Sequence, residues 1–411
     1  MRKEIRHWAI AAAGIMVLLG GCQGQKYQKI EVPGHLEASE KGQGQRQETE
    51  EERMPIVILE AGDTEEVSGN LSGGFVSADA AAGEAVQREN EEAGLTLLFG
   101  GDVLLSDHVL TAYDKAGGIG GVVDEGYRNV IGKADFFMVN QEFPFSSRGE
   151  EAPDKQFTFR LAPERVSLFS EMGIDGVTLA NNHALDFGRE ALMDSCETLD
   201  RAGIVHTGAG GNLEAARRPV IVEQKGKRIA VIGTTRVIPT ADWAAGKQVP
   251  GMLAAYDMAI LLEEIQKQRQ ENDFVVVYVH WGIEKEEKPQ DYQRSMGRQM
   301  IDAGADLVIG AHPHVLQGIE YYKGKAIVYS LGNFVFGSSI PRTALLQTAW
   351  NEGKEPVLRL IPGTSAKGYT RMLTDEADRQ EFFRYIENIS EKVIFQTDGT
   401  VIPPGEEKAE E

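Results

Sequence analysis

The sequence predicts a layered α/β domain over residues 94–345 of the 411-residue chain. Short apolar runs alternate with segments whose apolar residues recur at helical spacing, which is the pattern of a sheet covered by helices. Hydrophobic residues make up 42% of the chain, enough for a full core. Polar residues follow directly on several of the apolar runs, so we expect a functional edge where strands end.

Each element has its own signal in the sequence. Apolar runs predict strands at residues 95–99, 176–179, 228–232, 274–279 and 307–309. Helical spacing predicts helices that open near residue 163 and span 188–202, 253–269 and 289–304. In the last of these, Tyr292, Met296 and Met300 recur every four residues and are expected to be buried. A hairpin is predicted over 319–330, with its turn at 323–324.

The amino terminus, residues 1–22, predicts a secretory signal with a lipid attachment site. Basic residues within the first six precede an apolar run at 8–19, and the tetrad Leu-Gly-Gly-Cys at 19–22 resembles a bacterial lipobox. On this interpretation Cys22 is lipidated and holds the protein at the extracytoplasmic face of the cell membrane. An uncleaved membrane anchor is the alternative, because the apolar run is only slightly shorter than a bilayer span.

Residues 23–93 predict a disordered acidic linker. They contain 16 Asp or Glu and 6 Lys or Arg, a net charge of -10 out of -21 for the chain. They lack sustained periodicity and cannot bury enough apolar surface to offset the entropy of ordering. A brief apolar run at 55–59 could add a strand. The charge of the chain, with no basic patch to offset it, argues against nucleic acid as a partner.

The remaining features outside the domain are simpler. Cys196 is the only cysteine besides Cys22, so no disulfide framework is available, and its place in a predicted helix suggests a buried small hydrophobe. Residues 346–411 are expected to form an extension that packs on the domain, with a frayed acidic end.

Polar side chains at strand ends indicate a metal site. The residues that follow apolar runs in this way are Asp102, Asn182, His183, His280, His312 and His314. Carboxylate, imidazole and amide oxygen ligands without a thiolate suit a hard or intermediate divalent metal. The alternative for Asn182 is a capping role at the start of the following helix.

Six motifs occur in a fixed order along the chain. They are GGDV at 100–103, NQEFP at 140–144, ANNHALDFG at 180–188, HWGIE at 280–284, GADLVIGAHPHVLQG at 304–318 and YSLGNFVF at 329–336. Together they resemble the capsule-synthesis protein CapA family, whose members are also called poly-γ-glutamate biosynthesis proteins. That family is similar to calcineurin-like metallophosphatases, so the resemblance implies a layered, metallophosphatase-like sandwich with a metal site at strand ends.

The resemblance also implies roles for individual residues. His280 and His312 match ligands of one metal ion and His314 a ligand of another. Asp102 and Asn182 match further ligands, and Glu142 is the plausible bridging carboxylate. His183 matches the histidine beside the leaving group, so the implied catalytic pair is His183 and Glu142. The cofactor would be one or two divalent ions: Mn, Zn, Fe or Mg.

The chain departs from the phosphatase pattern at the first motif. Phosphatases have Asp-x-His there, whereas this chain has Asp102-Val103-Leu104, and leucine cannot bind a metal. A full two-metal site is therefore in doubt. His108 lies six residues past Asp102 and is interpreted as an ordinary surface or capping histidine.

Four residues are candidate substrate contacts: Asn140, Trp281, Glu284 and Asn333. Three of them also have a purely structural interpretation. Trp281 could belong to the core, Glu284 could lie in a solvated acidic loop, and Asn333 could hold its own loop through hydrogen bonds. Lys155 and Arg160 are candidate contacts for a polyanion, with plain surface charge as the alternative.

Two functions remain open from the sequence. One is a membrane-tethered, metal-dependent hydrolase or transferase that acts on an extracytoplasmic polymer, by resemblance poly-γ-glutamate. The other is a non-catalytic metal- or polymer-binding component of a synthesis and export complex, with membrane synthase or export subunits as partners. The missing histidine favours the second function, and the retained histidines favour the first.

Overall fold

The computed structural model of the protein describes residues 94–337, 339–350 and 355–405. The signal sequence, Cys22, the acidic linker and the apolar run at 55–59 lie outside these residues. Within the described ranges, no helix combines the length and the apolar character needed to span a bilayer.

The described residues form strands and helices in alternation over much of the chain. The strands are β1 (Leu95–Val103), β2 (Phe136–Gln141), β3 (Gly176–Thr178), β4 (Val205–Thr207), β5 (Ala209–Gly210), β6 (Val220–Gln224), β7 (Lys227–Thr235), β8 (Gly251–Met252), β9 (Phe274–His280), β10 (Leu307–Ala311), β11 (Leu316–Tyr322), β12 (Lys325–Leu331), β13 (Asn333–Val335), β14 (Ser339–Trp350), β15 (Val357–Ala366), β16 (Tyr369–Met372), β17 (Ile394–Phe395) and β18 (Val401–Ile402). The helices are α1 (Asp107–Ala116), α2 (Glu125–Ile131), α3 (Ser167–Met172), α4 (Gly188–Ala202), α5 (Leu213–Ala216), α6 (Ala259–Glu271), α7 (Asp291–Ala303) and α8 (Glu376–Ile389).

The first large sheet has the strand order β16-β15-β14-β1-β2-β3-β4, with β13 pairing with β1 as well. Strands β1 to β4 run parallel to one another, and β14 runs antiparallel to β1. Residue 345, where the sequence placed the end of the domain, lies inside β14. The residues beyond it therefore supply part of this sheet.

The second large sheet has the order β11-β12-β10-β9-β7-β6. Its central strands β7, β9, β10 and β12 are parallel, and antiparallel strands β6 and β11 form its edges. Short ladders of β5 with β8 and of β17 with β18 complete the pairing.

The two sheets face each other across an apolar core. Phe99 of β1 and Tyr278 of β9 lie edge to face across it, with ring centroids 6.5 Å apart. The outer face of the first sheet is covered by α1 to α4, and that of the second sheet by α6 and α7. Burying apolar surface on both faces accounts for the continuous apolar runs of the central strands. The mixed α/β class predicted from the sequence is confirmed.

Some boundaries differ from the sequence prediction. The helix expected at 253–269 starts at Ala259, because the chain first forms β8 and then a turn in which Asp257 accepts a hydrogen bond from the Ala259 N–H, at 2.9 Å. The helix near residue 163 begins as a 3-10 turn, Pro163–Val166, and continues as α3. Tyr292 is only partly buried on α7, whereas Met296 and Met300 are buried.

Candidate metal centre

Both sheets present the carboxyl ends of their parallel strands at one edge of the molecule. The β1–β2 ladder places Asp102 opposite Asn140, and the β9–β10 ladder ends with His280 opposite Ala311. The loops after β2, β3 and β10 carry Glu142, Asn182 and the histidines at 312 and 314. The fold thus brings together the polar residues that follow separate strands in the sequence.

Asn140 joins three groups of the site. Its side-chain amide donates to Asp102 Oδ1 at 2.8 Å and to Glu142 Oε1 at 3.2 Å, and lies 3.2 Å from His280 Nδ1. All four side chains are buried. Because these contacts are with candidate metal ligands, Asn140 holds the ligand side chains in place.

Glu142 is a fully buried carboxylate with an incomplete set of partners. Its Oε1 lies 3.5 Å from His280 Nε2, and its Oε2 lies 3.9 Å from His314 Nε2 and accepts no hydrogen bond. Burial, followed by the negative charge of Asp102, raises the pKa of Glu142 well above its usual range, against the opposing charge of His314. An unpartnered buried oxygen is costly without a cation beside it.

Among the described residues, three sets of ligand atoms lie within 4.8 Å of one another. They are Glu142 with His280 and His312, Asp102 with Glu142 and His314, and Glu284 with His312 and His314. Two of the sets share Glu142, and two share His312. The Nδ1 of His312 also has no hydrogen-bond partner and is buried. These orphaned atoms and this donor set fit a divalent cation.

The histidines have different electrostatic surroundings. Burial and the neighbouring histidines lower the pKa of His280 well below its usual range, and burial with His314 lowers that of His312 to about 3. Both rings are therefore neutral, the form that binds metals. Burial also opposes the charged form of His314, but Glu142 and Asp102 outweigh it and raise its pKa to about 9.

Asn182 contacts the site through its side-chain oxygen, which lies 2.8 Å from His280 Nε2. Its capping alternative does not hold, because α4 begins only at Gly188 and its capping residue is Phe187. The neighbouring Asn181, which the sequence analysis did not single out, is fully buried and donates to Asn140 Oδ1 at 3.0 Å. Its place inside the ANNHALDFG motif was the available signal.

His183 lies beside the metal-ligand candidates in a network of its own. Its Nδ1 is 2.8 Å from Asp186 Oδ2 and 3.0 Å from Lys155 Nζ. Lys155 also donates to Asp186 Oδ1 and to the Asn182 carbonyl. Lys155, a candidate polyanion contact in the sequence, thus lies in a buried contact with His183, and Asp186 is a further residue that the sequence analysis missed.

The other sequence candidates fall into different settings. The side-chain oxygen of Asn333, an acceptor, lies 2.8 Å from His314 Nδ1, which supports a role in holding that histidine. Glu284 is exposed at the rim. Trp281 is a correction: it is fully buried on the outer side of the second sheet, and its indole donates to the Tyr329 carbonyl at 2.8 Å. It therefore belongs to the core and does not line the site.

The structure also places three further residues that the sequence singled out: Leu104, His108 and Arg160. Leu104 is buried in the apolar core beneath α1 to α4. His108 is exposed on α1. Arg160 stacks on the Phe187 ring, with its guanidinium carbon 3.9 Å from the ring centroid.

A cavity of about 320 Å³ adjoins the site and is lined in part by His314 and Asn333. A larger cavity of about 410 Å³ lies near Phe274 and Lys325, where β9 and β12 begin, and contains none of the candidate ligands. Since that larger cavity lacks convergent catalytic or ligand groups, the smaller one is the relevant opening.

Comparisons with known proteins agree with the motifs. A model of the family described as bacterial capsule synthesis protein PGA_cap matches residues 96–338. The chain is 31% identical over 312 residues to the capsule biosynthesis protein CapA of Bacillus anthracis, covering 73% of this chain and 74% of that protein. It is 35% identical over 251 residues to the PGA biosynthesis protein CapA of Bacillus subtilis (strain 168), covering 61% of this chain and 65% of that protein.

Similarity to solved structures is weaker. The sulfate thiohydrolase SoxB of Thermus thermophilus, solved with glycerol, matches with a TM-score of 0.36 and 17% identity, over 62% of this chain and 42% of that one. The family model covers more than half of the chain and includes every motif of the site. The chain therefore belongs to the bacterial capsule synthesis protein PGA_cap family.

Proposed function

We propose that this protein is a metal-dependent hydrolase or transferase that acts on an anionic capsule polymer of the poly-γ-glutamate type. It would work at the extracytoplasmic face of the cell membrane, held there by a lipid on Cys22, beside synthase or export subunits. Family membership and the names of the Bacillus relatives support the capsule role. The arrangement of two facing sheets with a donor cluster at the strand ends supports a metallophosphatase-like fold and site.

The observation that carries the proposal is the pair of orphaned ligand atoms at the centre of the cluster. Glu142 Oε2 and His312 Nδ1 are buried and unpartnered among the described residues. Glu142 and His312 each belong to two of the three sets of potential ligands. A folded protein rarely leaves buried polar atoms unsatisfied unless an ion or a water completes them.

The residues suggest how a polymer bond could be cleaved or transferred. Asp102, Glu142, Asn182 and the three histidines would hold Mn, Zn, Fe or Mg, which would supply Lewis-acid stabilisation and a more acidic bound water. The contact of His183 Nδ1 with Asp186 leaves Nε2 as the nitrogen that would take up a proton from water and pass it to the leaving group. Lys155 balances the buried charge of Asp186 and fixes the orientation of the pair.

A non-catalytic, polymer-binding role in a synthesis or export complex is the second candidate. Its supporting observation is Leu104, a core residue at the position where phosphatases carry a histidine ligand. The polymer would then be held by the metal-loaded site without turnover.

Metal content and polymer chain length together test the proposal. The purified protein is loaded with Mn²⁺, dialysed, analysed for bound metal, and incubated with poly-γ-glutamate whose length is followed by size-exclusion chromatography. We expect bound metal and a shortening or transfer product that disappears on chelation and in a His280→Ala, His312→Ala double variant. Bound metal with unchanged polymer would favour the non-catalytic role. Absence of bound metal would refute the proposed metal-dependent site.

A further inference from the structure

The cavity beside His314 has a composition unlike the acidic average of the chain. It lies between the loop after β9, the start of β14 and helix α8. Two cations line it, Lys285 and Arg342, together with the side chains of Phe336, Ile340 and Tyr385. Its volume of about 320 Å³ is at the small end of the range of ligand pockets, about 300–1,000 Å³.

The guanidinium group of Arg342 is preorganised to bind a planar anion. Its guanidinium carbon lies 4.0 Å from the centroid of the Tyr385 ring, and the Tyr385 hydroxyl donates to Glu287 Oε1 at 2.8 Å. Stacking on a ring fixes the plane of a guanidinium and leaves its edge free for a carboxylate. Among the described residues, neither Arg342 nor Lys285 forms an ion pair with a carboxylate.

Lys285 is held close to the metal centre by its backbone. Its N–H donates to the Pro313 carbonyl at 2.8 Å, and Gln317 donates to the next carbonyl along the loop, that of Glu286, at 2.7 Å. Pro313 lies between the two paired histidines. The charge of Lys285 acts on both His312 and His314, which places its ammonium group within electrostatic reach of the site.

The wall also includes Glu287, His314, Asn333 and Ser339, and its apolar part is continuous with the site. The Phe336 ring lies 4.9 Å from that of His314, and Ile340 lines the wall next to it. A polymer of γ-linked glutamate alternates carboxylates with short methylene segments. Cations spaced around an apolar wall complement that alternation, whereas the chain as a whole, at -21, repels a polyanion.

We propose that this cavity is a carboxylate-binding cleft, in which Lys285 and Arg342 bind successive carboxylates of the polymer and direct a backbone bond toward the metal centre. This inference rests on the proposed function and assigns its substrate contacts. Lys285 and Arg342 act as specificity-determining residues, and neither belongs to a set of candidate metal ligands.

The test compares two charge-matched double variants of the full chain. One removes the cleft cations, Lys285→Gln with Arg342→Gln. The control removes two exposed cations that lie nearby but do not line the cavity, Lys288 of the loop after β9 and Arg384 of α8, as Lys288→Gln with Arg384→Gln. Each protein is loaded with Mn²⁺, its metal content is measured, and short γ-glutamate oligomers are titrated by calorimetry at several salt concentrations.

We expect the cleft variant to bind the oligomer about tenfold more weakly than wild type and with a shallower salt dependence, because two charged contacts are lost. The control should change less than twofold, with metal content equal in all three proteins. Equal losses in both variants would show that only bulk charge matters and would overturn the cleft. Unchanged binding in the cleft variant would also overturn it, while leaving the proposed function in place. Failure of metal-loaded wild type to bind the oligomer would overturn both.

Discussion

Replacing Glu142 by glutamine should separate two effects of this carboxylate. One is the destabilisation of the metal-free fold by a buried charge, and the other is the contribution of the carboxylate to metal binding. Glutamine preserves the shape and can still meet the Asn140 and His280 contacts. It removes a buried ionisable carboxyl group, whose pKa is raised by burial and by the negative charge of Asp102. We therefore expect Glu142→Gln to leave the metal-free protein as stable as wild type or more stable, and to abolish most metal-induced stabilisation.

The size of the effect follows from linkage. At a free metal concentration one hundred times Kd, binding stabilises the folded wild type by about 2.7 kcal/mol. For a domain of this size that corresponds to a rise in Tm of about 5 °C. Glu142 is shared by two of the ligand sets, so its loss should weaken binding at least as much as loss of an outer-shell partner. A hundredfold weaker Kd leaves about 0.4 kcal/mol at the same metal concentration, a shift below about 1 °C.

Calorimetric unfolding with Mn²⁺ and with a chelator measures both quantities in one experiment. The matched control is Glu264→Gln, which removes another buried carboxylate, one that contacts Arg217 on the outer side of the second sheet. That control should lower Tm equally with and without metal. The reasoning is refuted if metal raises the Tm of Glu142→Gln as much as that of wild type. It is also refuted if Glu142→Gln is destabilised in the metal-free state.

Three further results are expected. His183→Gln should retain full metal content, because His183 lies in none of the ligand sets, but should lose about 10²–10⁴-fold in turnover of polymer; loss of metal would contradict this. Gly310→Ala should cost about 1–3 kcal/mol or more in urea unfolding, since a Cβ there would lie 1.9 Å from the Tyr329 carbonyl oxygen; a change under about 0.5 kcal/mol would contradict it. Burial raises the pKa of Cys196 to about 12, so iodoacetamide at neutral pH should label this thiol only after unfolding, as mass spectrometry would show.

The sequence predicted those parts of the fold that are encoded locally. Strands β9 and β10 are continuous apolar runs bounded by polar residues, and the period of Met296 and Met300 marked α7. Strand β2 has the same form, an apolar run that ends in Asn140 and Gln141, and was not among the predicted strands although its signal was present. The polar neighbours at the strand ends indicated the aspartate, asparagine and histidine candidates, whereas Glu142 was proposed only from the family resemblance.

The parts that were missed depend on distant segments. Strand β14 pairs with β1 across some 250 residues of sequence, from Leu95 opposite Trp350 to Phe99 opposite Leu346, and no local pattern encodes that choice of partner. Strand β1 continues through Gly101, where the backbone passes close to Gly332. A Cβ on residue 101 would lie 1.9 Å from the Gly332 carbonyl oxygen, so only glycine fits there. The strand predicted at 95–99 stops short of the glycine pair, whereas the close backbone approach requires glycine within the strand.

The backbone at the paired histidines indicates what the loop after β10 is selected for. His312 has a φ of +96° and His314 a φ of +57°, where glycine is the residue of least strain. Each non-glycine residue held there costs about 1–3 kcal/mol. The His312 N–H donates to Asp102, 3.2 Å from Oδ2, so the strained loop is fixed by a carboxylate that is itself a candidate ligand. Strain, a buried carboxylate pair and orphaned ligand atoms all oppose the metal-free fold, and glycines at these two positions would relieve the strain. Histidines at these two positions are therefore explained by what their imidazoles bind rather than by the stability of the fold.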